Sequence, residues 1–424
     1  KSEERGRIKR LSPQDIGHYK SLLSRLIESE RPSLDNEEWE GQRAFWTVLV
    51  RHLKKKLESQ GIEIPTITGD IASKQLSDET LAALYPEDKP LNLSASSLTN
   101  FYNNQYLYFV RNVLRLREQE SIHPTAFQHG LFLHRIFERV VMDQSELDFD
   151  QKVDKAILRT RDEAEFAMFY NQDADSRYTE EVLDKIARSS ATILRNNDLV
   201  EIDGQEKSFR QDKALVFDLQ NGKSVHVNGT IDRLDTLQIN QAVGVVDYKS
   251  SDQSFSVGDF YNGLKPQLVT YLAALQELDE TKDKPVFGAM YLHLQDPIIK
   301  LKDTKNLEQL EVAANTSLVY KGLFLKEESL GLNHFYQTRN QLYTEDEFVV
   351  LLNHNQKLYK QAAMDILDGR FAINPYTKDG RSVAGEQLKA ITGFEADRHM
   401  GMARRMVKEA KRQDWMERMK GGQD

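Results

Sequence analysis

Residues 229–250 have the sequence GTIDRLDTLQINQAVGVVDYKS. Two apolar, β-prone segments lie on either side of the turn residue Asn240, a pattern that predicts two antiparallel strands joined as a hairpin. Side chains two residues apart on a strand share a face, so Asp247 and Lys249 point the same way and Tyr248 points oppositely. The hairpin is expected to bring Asp232 beside Asp247.

Two carboxylates and an ammonium at the end of a sheet suit metal-dependent hydrolysis of a phosphodiester. Oxygen ligands favour Mg²⁺ or Mn²⁺, and the metal polarises the phosphate and lowers the pKa of a bound water. Lys249 is expected to position that water or to neutralise charge in the transition state. The backbone carbonyl of Tyr248 is a further candidate ligand.

An Asp-x-Lys sequence on a strand is, in isolation, more often a surface ion pair. Here the apolar run Ala242–Val246 leads directly into Asp247. A buried strand that ends in charged groups needs a reason, because burying unpaired charge is costly. The context therefore favours a functional site.

Two further pairs of polar residues lie four apart on predicted helices. They are His134 with Glu138, and Gln267 with Tyr271. Residues four apart share one helix face. Either pair alone is more typical of an ordinary amphipathic helix.

The composition indicates a soluble chain. It has 424 residues, enough for two or three domains, with 39% hydrophobic and 29% charged residues. No segment approaches the ~18 apolar residues of a membrane span, and the charged start, which lacks Met, resembles neither a signal peptide nor a complete N-terminus. We expect a cytoplasmic protein without membrane association, represented here by a fragment.

The absence of cysteine excludes several kinds of site, and the net charge bears on nucleic-acid binding. The chain has no cysteine, which excludes disulfides, thiolate zinc sites, cysteine nucleophiles and iron–sulfur clusters. The net charge of -9 argues weakly against a general nucleic-acid binder. The tail from Ala396 carries eight basic and five acidic residues, which more often form a solvated face than a phosphate-binding strip.

Hydrophobic periodicity predicts an α/β fold, with a mixed sheet flanked by helices and a helical N-terminal region. We place a boundary at the turn-rich segment Tyr85–Pro90. The expected elements are a helix capped by Ser96 or Ser97, helices at 129–142, between 153 and 198, at 264–278 and at 343–368, and strands at 213–219, 224–237, 242–249 and 286–294. Residues 296–345 are expected to form an irregular insertion.

Four motifs in this order resemble the RecB-type nuclease family, a branch of the restriction-endonuclease-like PD-(D/E)xK superfamily. They are Gly130 with His134 and Glu138, Gly229 with Asp232, Val245 with Asp247 to Lys249, and Gln267 with Tyr271. Four ordered motifs are far more specific than any one. The resemblance implies that His134, Asp232 and Asp247 bind the metal and that Lys249 is the catalytic lysine. It also implies that Gln267 and Tyr271 position the DNA strand or that lysine.

The flanking segments narrow the resemblance. Residues 93–98 (LSASSL), 369–376 (GRFAINPY) and 391–395 (ITGFE) are similar to the opening and closing segments of the nuclease domain in the AddB and RexB family. These proteins are the B subunits of bacterial helicase-nucleases that process double-strand breaks for recombination. The resemblance implies a helical remnant of a preceding helicase-like part at 1–90, a nuclease domain at 91–395 and a charged helical tail at 396–424.

The same resemblance implies a substrate and a partner. The substrate would be single-stranded DNA unwound from double-stranded DNA, with the 5′-ended strand cut as an exonuclease does. The partner would be the A subunit, which carries the ATP-driven motor and a second nuclease. This chain contains no G-x-x-x-x-G-K-[ST] loop for ATP.

One departure from the family is informative. Typical AddB proteins hold a 4Fe-4S cluster on four cysteines, whereas the corresponding positions here are Asn104, Val383, Glu386 and Thr392. None of these replaces a thiolate, so the chain resembles the cluster-less RexB branch. The two ends of the domain are then expected to be held by ordinary packing, through Tyr106, Phe109, Phe371 and Phe394.

Two alternatives to an active nuclease of this kind stay open. The first is a catalytically inactive nuclease-fold module that binds DNA or the partner protein; the presence of Asp247 and Lys249 argues against decay. The second is a nuclease of the same chemistry in another system, such as a phage exonuclease or a CRISPR-associated enzyme. The opening and closing segments argue against this second alternative.

Overall fold

The fold is taken from a computed structural model, which describes residues 48, 51–53, 55–61, 74–116, 124–210, 215–295, 318–380, 382–385 and 389–421. The chain divides into two compact units. The first comprises Lys1–Leu76, Asn103–Phe109 and Arg370–Met406. The second comprises Ser77–Tyr102, Val110–Gly369 and Val407–Asp424.

Along the described chain from residue 95 onward, a run of helices precedes a run of strands, and the two kinds of element are mixed after residue 249. The helices are α1 (Asp78–Leu84), α2 (Ala95–Asn103), α3 (Gln105–Tyr108), α4 (Ala126–Met142), α5 (Phe149–Arg161), α6 (Ala164–Tyr170), α7 (Ala174–Asn196), α8 (Val257–Tyr261), α9 (Gln267–Leu275), α10 (Glu345–Leu367), α11 (Lys389–Thr392), α12 (Ala396–His399) and α13 (Arg412–Gly421). A π-helical turn spans Phe109–Val113 and a 3-10 turn spans Met400–Met402.

The strands are mostly short. They are β1 (Lys74–Gln75), β2 (Leu91–Leu93), β3 (Val200–Phe209), β4 (Leu215–Asp218), β5 (Ser224–Val227), β6 (Gly229–Leu237), β7 (Val243–Lys249), β8 (Val286–His293), β9 (Tyr320–Leu325), β10 (Leu342–Tyr343), β11 (Arg370–Phe371), β12 (Tyr376–Thr377) and β13 (Arg404–Arg405).

The second unit is built on a six-stranded mixed sheet in the order β10-β9-β8-β7-β6-β3. Strands β3, β6 and β7 are antiparallel neighbours, β7 and β8 are parallel, and β8 and β9 are antiparallel. The predicted hairpin is β6–β7, with Arg233 opposite Val246 near its open end. The predicted α/β class with a mixed sheet is confirmed. A separate three-stranded sheet has the order β2-β5-β4.

Successive side chains of β7 point to opposite faces of the sheet, so one face contributes to the apolar core and the other carries the site residues. Val246 and Tyr248 belong to a buried apolar core that also contains side chains of α4–α7, β8 and β9. Asp247 and Lys249 lie on the other face, as the period of two predicts. Helix α9 contacts β7 and β8, and its first residue, Gln267, is bonded to Asp247.

The first unit is joined by aromatic packing, as predicted for a chain without the cluster. The Phe109 and Phe371 rings lie 4.8 Å apart and the Tyr106 and Phe109 rings 5.8 Å apart. Phe394 belongs to a small apolar core against which Tyr106 and Val383 pack. Asn104 is buried and caps α3 by accepting a bond from the Tyr106 N–H. Glu386 lies outside the described residues.

Several predicted elements need correction. Ser94 caps α2 rather than Ser96 or Ser97, because the Ser97 N–H donates to Ser94 Oγ at 3.1 Å. The predicted strand 224–237 is two strands in different sheets, β5 and β6. Residues 318–345, predicted to be irregular, contain β9, an inner strand of the central sheet.

Other predicted elements differ in extent. The helix predicted at 129–142 begins at Ala126, where Thr125 and Gln128 form a capping box. Edge strand β3 was not predicted. The predictions for residues 1–47 and 296–317 lie outside the described residues. None of the helices in the described part of the chain combines the length and apolar character needed to cross a bilayer.

Candidate active site

The second unit brings the predicted site residues together where β6 and β7 present their carboxylates. Asp232 is on β6, and Asp247, Tyr248 and Lys249 end β7. His134 lies in the middle of α4. Gln267 and Tyr271 occupy the first two turns of α9.

The peptide groups of Tyr248 connect two of the side chains. The Tyr248 N–H donates to Asp232 Oδ2 at 2.9 Å, and its carbonyl oxygen lies 2.8 Å from His134 Nε2. The other imidazole nitrogen of His134 is 3.5 Å from Asp232 Oδ2. Imidazole, carboxylate and carbonyl are thus held around one backbone segment.

Asp247 is held by α9, the helix that covers the same face of the sheet as this carboxylate. Its Oδ1 accepts a hydrogen bond of 2.7 Å from Gln267 Nε2, which also lies 2.8 Å from the Tyr271 hydroxyl. Its Oδ2 lies 2.5 Å from Lys249 Nζ but makes no hydrogen bond of good geometry to a described residue. Gln267 therefore contacts the carboxylate directly, and Tyr271 contacts Gln267.

The two carboxylates lie in a setting that disfavours their charge. Burial, reinforced by the charge of Asp247, raises the pKa of Asp232. Burial also raises the pKa of Asp247, against the opposing effect of the Lys249 ammonium. Burial lowers the pKa of His134, which favours its neutral form. A divalent cation would relieve the repulsion between the acids and can bind a neutral imidazole.

The residues fit a hard divalent cation in kind. Carboxylate and carbonyl oxygens suit Mg²⁺ or Mn²⁺, and Asp247 Oδ2 is a buried oxygen with a lone pair left over. Among the described residues, however, no group of three or more His, Asp or Glu side chains is already arranged to hold a metal. Asp232 and His134 are instead bonded to the Tyr248 peptide groups.

Two residues beside the site were missed in the sequence. Tyr291 lies opposite Asp247 on β8, and its ring centre is 5.6 Å from Lys249 Nζ. Glu206 lies on β3 between Gln205 and Lys207, which pair with Arg233 and Ile231 on either side of Asp232. The charge of Glu206 contributes to the raised pKa of Asp232. Tyr291 belongs to a continuous apolar strand, and nothing in that sequence indicates a residue of the site. The positive φ of Glu206, 49°, has no sequence signal because the residue is not glycine.

A buried ion pair lies behind the site. Arg233 Nε and Nη2 each lie 2.7 Å from an Asp235 carboxylate oxygen, and both side chains are fully buried. Arg233 also donates to the hydroxyls of Tyr248 and Tyr320, at 3.3 and 2.8 Å. Glu138 of the first motif forms a more exposed ion pair, with Arg135 at 2.6 Å.

A mixed sheet with an Asp and an Asp-x-Lys pair on adjacent strands, covered by helices, has the architecture of a restriction-endonuclease-like nuclease. The family model described as the PD-(D/E)XK nuclease superfamily matches residues 92–382. The chain belongs to this superfamily, which confirms the family predicted from the four motifs.

Two relatives with high identity are B subunits of an ATP-dependent helicase/deoxyribonuclease. The chain is 97% identical over 424 residues to the one from Streptococcus suis (strain 05ZYH33), covering 100% of this chain and 39% of that protein. It is 47% identical over 396 residues to the one from Streptococcus mutans serotype c (strain ATCC 700610 / UA159), covering 93% and 36%. This chain therefore spans well under half the length of the curated relatives that it matches.

Proposed function

We propose that the chain is the metal-dependent nuclease part of a helicase-nuclease and that it hydrolyses DNA phosphodiesters. The observation that carries this proposal is the buried pair Asp232 and Asp247, with Lys249 Nζ 2.5 Å from Asp247 Oδ2. Superfamily membership and the name that the relatives carry support DNA as the substrate.

In this proposal His134, Asp232, Asp247 and the carbonyl of Tyr248 hold Mg²⁺, with Mn²⁺ as a substitute. The metal, when bound, polarises the phosphate and supplies a water of lowered pKa. Lys249 then places a positive charge beside the phosphate oxygens or the attacking water. Gln267, which donates to Asp247, orients that carboxylate, and Tyr271 orients Gln267.

The finer features of the proposal concern the larger assembly. The substrate is one unwound strand of a broken duplex, cut from its 5′ end during recombinational repair in the cytoplasm. A partner A subunit supplies the ATP-driven motor. The support is the likeness of the flanking segments to nuclease domains of the AddB and RexB family and the name carried by the relatives.

Cleavage of end-labelled single-stranded DNA tests the proposal. We expect 5′- and 3′-labelled oligonucleotides to be degraded with Mg²⁺ or Mn²⁺ and left intact with EDTA, and the two labels to report polarity. Asp247→Ala should abolish cleavage while the circular dichroism spectrum is retained. Lys249→Ala should lower the rate by at least about 100-fold while metal still binds. Asp279→Ala, at an exposed carboxylate, is the matched control.

A second candidate is an inactive module that binds DNA or its partner. The observation in its favour is that the described acids and histidines form no ready metal cage. Normal DNA binding without cleavage, both alone and with the A subunit added, would support this candidate and contradict the nuclease. Metal-dependent products that are absent from Asp247→Ala would exclude it.

A further inference from the structure

The N-terminal half of α4 carries an exposed aromatic residue on the same side as His134. Phe127 is 71% exposed and Leu131 is 37% exposed. No aromatic ring in the described part of the chain packs on Phe127. Most large apolar side chains of this helix face the core instead, namely Phe132, Leu133, Ile136, Phe137 and Val140.

Helix geometry places Phe127 nearly in line with His134. Seven residues are almost two turns, so the two side chains differ in direction by only about 20° and lie about 10 Å apart along the axis. Leu131 is on the same side, about 60° from His134. The exposed apolar surface thus runs directly into the candidate active site.

The spacing between this surface and the site is fixed by packing. The Ser250 hydroxyl, one residue beyond Lys249, would lie 3.6 Å from a Cβ placed on Gly130. Gly130 lies between Phe127 and His134 on α4. The end of β7 and this helix therefore meet closely, and Phe127 is held at a set distance from Asp247.

The chemistry of the surface suits a nucleobase. A flat aromatic side chain beside an aliphatic one offers no charge for a phosphate, but it can stack on a base of any sequence. A duplex keeps its bases stacked inside, so only an unpaired base can reach Phe127. A distance of about 10 Å corresponds to at most about three nucleotides of a strand.

We infer that Phe127, supported by Leu131, stacks on an unpaired base of the substrate strand, up to about three nucleotides from the phosphate to be cut. This inference rests on the proposed function, because the strand must occupy the site beside His134. It goes beyond that function by naming the residues that bind a base of the strand.

Binding of a fluorescent oligothymidylate to the 424-residue chain in EDTA tests the inference without cleavage. Phe127→Ala should raise the Kd by about 10- to 100-fold, whereas Phe127→Trp should keep the Kd within about threefold because the indole also stacks. DNA should quench the added indole relative to the wild-type chain, which has three Trp. Tyr178→Ala is the control, because Tyr178 is 67% exposed on α7.

The outcomes separate this inference from the proposed function. Equal Kd values for Phe127→Ala and Tyr178→Ala would overturn the stacking surface, even if the wild-type chain cleaves DNA normally. Failure of the wild-type chain to cleave with any metal would instead count against the nuclease proposal. If Phe127→Ala binds DNA normally but loses association with the A subunit, the surface is a protein interface and the inference is wrong.

Discussion

Asp235 shows how burial changes the meaning of a charged residue. The sequence Asp232-Arg233-Leu234-Asp235 predicts that Asp235 pairs with a neighbouring base such as Arg233 and that Asp235→Ala has only a mild effect on cleavage. The structure contains the pair, but both side chains are 0% exposed. Removing one partner of a buried pair leaves the other charge uncompensated. The mild effect on cleavage stays a prediction, but burial of the pair implies a large effect of Asp235→Ala on stability.

We predict that Asp235→Ala lowers the free energy of unfolding by about 3–5 kcal/mol. Arg233, left without its carboxylate partner, also donates to the Tyr248 hydroxyl, so the change reaches the strand that carries the site. Urea denaturation would measure the loss, with Asp279→Ala as an exposed control. A change below about 1 kcal/mol, the range of surface ion pairs, would contradict the burial of this pair.

Asp232 should make the metal-free protein less stable as the pH rises. Its pKa is raised in the folded state, so between the unfolded and folded pKa values the folded state binds more protons than the unfolded state. Stability then falls with increasing pH across that window. We predict that Asp232→Asn raises the Tm in EDTA at about pH 8 by a few degrees and has little effect at about pH 4.

Asn is the suitable replacement because its oxygen can still accept from the Tyr248 N–H, the 2.9 Å bond that Asp232 makes. Differential scanning calorimetry at both pH values would measure the effect. Addition of Mg²⁺ should raise the Tm of the wild-type chain and not that of the variant. A lower Tm for the variant at the higher pH in EDTA would show that the buried, ionised Asp232 carboxylate does not destabilise the folded protein.

At the scale of elements, the sequence was most informative where one strand is buried on both faces. Strand β7 could be predicted with its facing pattern, because the apolar run ends in residues that only a site explains. Edge strand β3 could not, because its half-exposed residues include several charges. The division between β5 and β6 depends on the pairing of β5 with β2, a contact distant in sequence that leaves no local pattern.

The pairing of β8 with β9 depends on a close approach that only glycine allows. A Cβ placed on Gly322 would lie 2.0 Å from the backbone oxygen of Ala289. A backbone atom cannot rotate away as a side chain can, so the strands would have to separate. We predict that Gly322→Ala costs about 3 kcal/mol of stability, as measured by thermal or urea unfolding.

Gly401→Ala provides the control for this change, because a Cβ on Gly401 meets no atom within 4 Å. It should alter stability by less than about 1 kcal/mol. An equally small effect of Gly322→Ala would mean that β9 pairs with β8 in another register.

At the scale of the whole molecule, the last residues of the described chain pack against helices from its middle part. Residues 407–424 belong to the second unit, together with residues 110–369. Helix α13 contacts α8 and α10. Its Trp415 ring lies 5.0 Å from the Tyr261 ring, and Arg412 lies 4.2 Å above the ring of Tyr343.

These contacts make α13 part of the core of the second unit, although its sequence is dominated by charge. The charged residues that suggested a solvated face occupy its exposed side, while Trp415, Met416 and Met419 are buried. Helix α8 follows the loop that leaves Lys249, and α10 packs on α9, which carries Gln267. Removing the buried side of α13 should therefore weaken the unit that holds the site.

We predict that Trp415→Ala lowers the free energy of unfolding by about 3–5 kcal/mol, as expected for truncating a buried indole. Glu417→Ala, at an exposed position of the same helix, should change it by less than about 0.5 kcal/mol. Both variants would be compared by urea unfolding with tryptophan-independent detection, such as far-ultraviolet circular dichroism. If Trp415→Ala unfolds like Glu417→Ala, α13 does not contribute to the core, and the chain could be shortened to Met406 without loss of stability.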